Sequence, residues 1–140
     1  MLSTNNICWV AGFLEGEGYF GINKGSPRIY VNQTDRDVVE KLRDIVDPKC
    51  PIGMQTRDGN RQDIYRFWVY GNLAASWMMA IYPLMGIRRK QTIKEILEFW
   101  KSDLNSLVRA NRNMAISLAR AKKITIKEAE LFLRNHEVNH

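Results

Sequence analysis

Two cysteines, two histidines and four prolines are all that 140 residues contain of these types, and each scarcity closes off a class of function. Cys8 lies inside an apolar stretch and Cys50 stands beside Pro51, so the pair forms neither a zinc-ligand spacing nor a disulfide framework. His136 and His140 fall in the last turn's worth of chain, where solvated tail residues are expected rather than ligands. No apolar run approaches the roughly 18 residues of a membrane span, and the opening MLSTNN lacks the charged and apolar regions of a signal peptide. No membrane partner is expected; a soluble, intracellular protein is, in a prokaryotic or phage-infected cytoplasm or an organelle. No low-complexity linker interrupts the chain, whose length suits about one domain with its own core.

Acidic charge is the other deficit. Against 21 Lys and Arg stand 15 Asp and Glu, giving a net charge of +6 and a pI near 9.5, a balance that favours a polyanionic partner. The excess is uneven: residues 101–140 carry eight basic and four acidic residues, net +4, which leaves +2 for residues 1–100.

The stretch WVAGFLEGEGYFGI, Trp9 to Ile22, reads as an apolar helix running into a strand, yet it breaks two rules of helix design. Each interior glycine costs roughly 1 kcal/mol against alanine, and a carboxylate at a helix C-terminus meets the negative end of the dipole. Gly12 and Gly16 lie one turn apart, as do Cys8 and Gly12, so the three share a face where a second backbone can approach closely. Ile7, Val10, Ala11 and Leu14 form an apolar stripe beside it. A divalent cation at the helix end reconciles the carboxylates with the dipole, because terminal carbonyls and Glu17 attract the same charge. A solvated, glycine-terminated helix is the plainer alternative for an isolated G-x-x-x-G.

The nine residues Val10-Ala11-Gly12-Phe13-Leu14-Glu15-Gly16-Glu17-Gly18 resemble the LAGLIDADG signature of homing endonucleases. They match its Ala, its Gly, two apolar positions, both acidic positions and the final Gly. The resemblance implies that two such helices pack together and that the second acidic residue of each, Glu17 here, binds catalytic metal, with the Gly16 carbonyl as a further ligand. It implies Mg²⁺, or another divalent cation such as Mn²⁺, and double-stranded DNA as substrate. One motif per chain implies a symmetric homodimer through Cys8, Gly12 and Gly16, and a near-palindromic target.

The remaining pattern is compatible with this. Helix, strand, strand recurs: Asn5 or Asn6 can cap the first helix, and YFGINK and PRIYVNQ pair across Lys24-Gly25-Ser26-Pro27. Thr34 or Asp35 can cap RDVVEKLRDIV, after which PIGMQTR and DIYRFWVY pair across Asp58-Gly59-Asn60. Asn72 is expected to cap LAASWMMAIYPLM, and QTIKEILEFWKS forms a further helix. The expectation is an α+β fold of order αββαββα, which resembles the LAGLIDADG core over roughly residues 5 to 100: a four-stranded antiparallel sheet forming a DNA-binding saddle, with helices on its other face. Residues 1–100 are read as the core and 101–140 as a basic helical extension, RNMAISLARAKK and TIKEAELFLRNH forming two helices with Thr125 as a cap.

Strand alternation then sorts the side chains. Ile29 and Val31, Tyr65, Phe67 and Val69, and Ile52, Met54 and Thr56 fall on one face. Arg28, Tyr30 and Asn32, Arg66 and Trp68, and Gln55 and Arg57 fall on the other, with Asn23 at the end of the first strand. Arg pairs with guanine and Asn or Gln with adenine in the major groove. These residues are therefore the candidate DNA readers, and Lys122 and Lys123 of the tail are candidate phosphate contacts.

By resemblance, Gln33 matches a polar residue that orients the attacking water. Arg88, in Tyr82-Pro83-Leu84-Met85-Gly86-Ile87-Arg88-Arg89-Lys90-Gln91, aligns with the family's usual lysine, Lys90 replacing it if the register shifts by two. Arg36 is a third basic candidate, and a capping or ion-pairing role is open for Glu15. A site-specific double-strand endonuclease is the leading reading. A non-cleaving DNA-binding regulator or RNA-splicing maturase on the same fold is the alternative, and a basic scaffold dimer a remoter one.

Overall fold

Ser3 starts the first helix. Its hydroxyl accepts the Asn6 N–H at 3.2 Å, and α1 runs Thr4–Glu17; the cap therefore falls on the serine rather than on Asn5 or Asn6, both of which lie within the helix. These facts come from a computed structural model that describes residues 2–122 together with Lys127, Glu128 and Leu131. The chain divides into two compact units, Met1–Trp100 and Lys101–His140.

Helix α1 passes without a loop into β1 (Gly18–Asn23), which turns into β2 (Ser26–Gln33) through Lys24 and Gly25. Both turn residues have positive φ, 50° and 80°, the backbone that lets a two-residue hairpin follow the twist of its strands. Helix α2 (Arg36–Val46), β3 (Gly53–Gln55), β4 (Ile64–Tyr70), α3 (Gly71–Ile81), a 3₁₀ turn at Tyr82–Leu84 and α4 (Ile87–Lys122) complete the order. The four strands form one antiparallel sheet in the order β1-β2-β4-β3. The αββαββα order expected from the sequence is the order found.

One sheet face is covered by α1, α2 and α3. Phe20, Ile29, Val31, Phe67 and Val69 meet Val10, Ala11 and Leu14 of α1, Val39 and Leu42 of α2, and Ala74, Trp77, Met78 and Ile81 of α3, joined by Met85, Ile93 and Ile96. Phe67, Leu14, Leu42 and Ile93 are fully buried, and each such side chain contributes about 1.5–3 kcal/mol. Buried and less buried residues alternate along β2 from Pro27 to Val31, as period-2 pleating requires.

Four local expectations change. Strand β3 has three residues rather than seven, and residues 56–63 form an eight-residue connection, with Gly59 at φ 76°. Thr56 to Asp63 hold no apolar residue, so nothing draws that segment onto the core. Met54, expected on the apolar face, pairs with Tyr65 at the sheet's end and is 61% exposed. Helix α3 begins at Gly71, φ 63°, with Tyr70 at the cap position and Asn72 inside the helix. Finally, α4 runs unbroken for 36 residues, where two helices were expected; no glycine or proline occurs between Ile87 and Lys122 to stop it. The segment TIKEAELFLRNH and its Thr125 cap lie largely outside the described residues.

Candidate nucleic-acid interface and active-site edge

The sheet face opposite α1, α2 and α3 carries most of the candidate readers. Register places Arg28 opposite Tyr70, Tyr30 opposite Trp68 and Asn32 opposite Arg66 across β2 and β4, and Tyr19 opposite Tyr30 across β1 and β2. Asn23 of β1 pairs with Ser26, and Gln55 of β3 reaches the same face. Arg57 does not belong to this array: it lies past the end of β3, exposed, so pleating no longer fixes its direction. Lys122 is the last residue of α4 and Lys123 lies outside the described residues.

Aromatic rings arm this face. The Arg28 guanidinium sits 4.5 Å from the centre of the Tyr30 ring and 6.0 Å from that of Tyr70, within cation–π range. Its Nε is buried without a hydrogen-bond partner. The Trp68 indole approaches β3 closely at Gly53, where an added Cβ would stand 3.1 Å from it. A terminal nitrogen of Arg66 donates to Oε1 of Gln55, while the Arg66 Nε is buried and unpartnered. Tyr19 and Tyr70 were missed by sequence reasoning, although period-2 alternation puts both on this face with Arg28 and Trp68.

A second group gathers at the edge where α1 enters the sheet. Gly18 pairs with Val31, so Glu17 stands beside the end of β2, where Gln33 lies two residues past Val31 and opposite Tyr65. Glu17 is exposed. The Gln33 Oε1 accepts the Thr34 N–H at 2.8 Å, and its register with Tyr65 puts it on the helix-covered side of the sheet rather than among the readers.

The start of α4 is tied to the same end of α1. Glu15 accepts the Gly86 N–H at 3.2 Å through Oε2, and the Arg89 guanidinium donates to the Glu15 carbonyl at 3.3 and 3.1 Å. Glu15 is therefore a cap for α4, and Arg89, absent from the expected site, closes the C-terminal end of α1. Arg88 and Lys90 come with that turn. Arg88 is exposed, and Lys90 is half-buried with Nζ 5.8 Å from the centre of the Tyr82 ring. Arg36 forms an i,i+4 ion pair with Glu40 at 2.8 Å, so it brings no unpaired charge to this edge.

No protein-family model matches the chain, and no curated protein matches it. Among solved structures it is similar to the archaeal intron-encoded homing endonuclease I-Vdi141I complexed with DNA, at 17% sequence identity and a TM-score of 0.50 over 94% of this chain and 83% of that one. The chain has the homing-endonuclease fold.

Within that fold the stripe Cys8, Gly12 and Gly16 faces open space. All three residues are exposed, and a Cβ added at either glycine would meet nothing within 4 Å. The stacked pair Trp9 and Phe13, ring centres 5.3 Å apart, borders the stripe. Among the described residues no three His, Cys, Asp or Glu gather as metal ligands. No helix among the described residues is long and apolar enough to cross a membrane.

Proposed function

We propose that the protein is a site-specific DNA endonuclease of the single-motif LAGLIDADG type, acting as a homodimer on a long, near-palindromic duplex. The observation that supports it most is one arrangement: a homing-endonuclease fold whose sheet face opposite α1, α2 and α3 bears Arg28, Tyr30, Asn32, Gln55, Arg66 and Trp68 and ends at the helix terminus carrying Glu17.

In this reading the sheet lies in the major groove. Arg, Asn and Gln contact base edges, and the Tyr30 and Tyr70 rings hold Arg28 in place. Glu17 and the Gly16 carbonyl would hold Mg²⁺ or Mn²⁺, and with so few donors tight metal binding would require DNA and the second copy. When bound, the cation supplies Lewis-acid charge neutralisation and a more acidic water. Gln33 orients the attacking water from the end of β2. Arg88 or Lys90 supplies positive charge to the scissile phosphate; an arginine there acts as a fixed clamp, because it does not deprotonate. The open face of Cys8, Gly12 and Gly16 lies on the dimer axis, an isologous contact that sets two active sites side by side.

The test is a cleavage-based selection from a partly random duplex library with Mg²⁺, followed by sequencing of the cut ends. Recovery of one near-palindromic site is the expected result. Specific binding without cleavage by folded protein would assign the chain to the non-cleaving regulators on this fold, and absence of any DNA binding would remove the reading altogether.

A further inference from the structure

Arg89 grips the chain on both sides of Glu17. Its guanidinium donates to the Glu15 carbonyl through Nε at 3.3 Å and a terminal nitrogen at 3.1 Å, and it lies 5.5 Å from the centre of the Phe20 ring, within cation–π range. Glu15 precedes the Gly16–Glu17 pair and Phe20 follows it by three residues. One half-buried side chain of α4 therefore spans the point where α1 becomes β1. The contact is returned, because the Glu15 carboxylate accepts the Gly86 N–H that opens α4.

Carbonyls at the end of a helix lack intrahelical partners, and here they are taken up in order. The Leu14 carbonyl accepts the Gly18 N–H, and the Glu15 carbonyl accepts Arg89. The next is that of Gly16, which the proposed function gives to the cation together with Glu17. We infer that Arg89 is a positioning residue for that cation: by holding the Glu15 carbonyl and bracing Phe20, it fixes the backbone that carries the Gly16 carbonyl and the Glu17 carboxylate. The inference rests on Glu17 being the metal ligand. A guanidinium has no acceptor and is itself no ligand. Its charge opposes a cation, so electrostatics alone would make Arg89→Met bind metal more tightly, whereas loss of positioning makes it bind more weakly. The two roles differ in sign.

The experiment uses the full-length protein, the duplex recovered from the selection, and the variants Arg89→Met, Arg89→Lys, Glu15→Ala and Glu17→Gln, each checked by circular dichroism. DNA affinity is measured in EDTA and at one sub-saturating Ca²⁺ concentration, and the cleavage rate is followed over a Mg²⁺ series. The ratio of the two affinities removes whatever the Arg89 charge contributes to phosphate attraction. In Arg89→Met the Ca²⁺-dependent gain in affinity should fall, and the Mg²⁺ midpoint rise, by about tenfold or more, with affinity in EDTA near that of the wild type. Arg89→Lys keeps the charge but not the two-pronged contact, so it should fall between the two, and it carries the comparison if Arg89→Met does not fold. Glu15→Ala breaks the other half of the helix-to-helix contact and leaves the Glu15 carbonyl in place, so it should keep the wild-type gain and midpoint. An unchanged cation response in the Arg89 variants, a lowered Mg²⁺ midpoint, or the same shift in Glu15→Ala overturns the inference, and Glu17 stands as the ligand provided Glu17→Gln loses the cation response. If Glu17→Gln keeps that response, or the wild type has none, the proposed site falls, and the inference with it.

Discussion

Glu15 and Gly86 join two elements 71 residues apart in sequence: the carboxylate accepts the Gly86 N–H at 3.2 Å, and a Cβ at Gly86 would stand 2.7 Å from its Oε1. The two glutamates of the signature-like stretch are thus given different work. Glu15 turns toward α4, and Glu17 is left exposed at the sheet edge.

The first prediction follows from that division. Glu15→Ala removes a helix cap and should lower stability by about 1 kcal/mol, read from the midpoint of urea unfolding. Glu15→Gln keeps an acceptor and should lose less, with strand cleavage retained.

Glu17→Gln should do the opposite, abolishing cleavage while specific binding persists, because a neutral amide beside phosphate removes a ligand charge and relieves repulsion. Gel-shift and cleavage assays on one folded preparation measure both. Strong cleavage by this variant would take Glu17 out of the active site.

Arg89→Met should destabilise the protein by about 1–3 kcal/mol, since two charge-assisted hydrogen bonds to the Glu15 carbonyl are lost from a part-buried site. Arg89→Lys should recover only part of this, an ammonium being unable to reproduce the two-pronged contact. Denaturant titration of the three proteins orders them.

At Gly12 the isolated chain has room to spare, so Gly12→Ala should raise helix stability in a monomer by up to about 1 kcal/mol. Gly12→Leu should nevertheless prevent dimerisation, as seen by light scattering over a concentration series. A wild-type protein that stays monomeric at micromolar concentration without DNA counts against the assembly.

The two thiols should separate kinetically. Burial, then the Asp47 carboxylate, pushes the Cys50 thiol above its ordinary range, with Arg43 opposing, and its Sγ lies 3.6 Å from the Trp68 carbonyl. A raised thiol pKa means less thiolate at neutral pH, so Cys50 should react slowly with a disulfide reagent and exposed Cys8 quickly. If α1 is the dimer contact, Cys8 should become protected as protein concentration rises; protection that never changes would place the contact elsewhere.

Periodicity, with the turn and cap signals, determined the element order and sorted most side chains between the two faces of the sheet. Phe67 and Val69 must share a side in any strand, Arg66 and Trp68 the other, and Gly12 and Gly16 must share a helix face, because the geometry of one residue relative to the next is local. Tertiary structure decided what those faces meet. No spacing rule links Glu15 to Gly86, Arg89 to the end of α1, or Gln55 to Arg66; each bond depends on how far two distant segments are brought together by the burial of Leu14, Phe67 and Ile93 in one core. The same distinction explains β3. Alternation was legible through Arg57, but a strand lasts only while its neighbour supplies backbone partners, and β4 begins at Ile64, opposite Gln55.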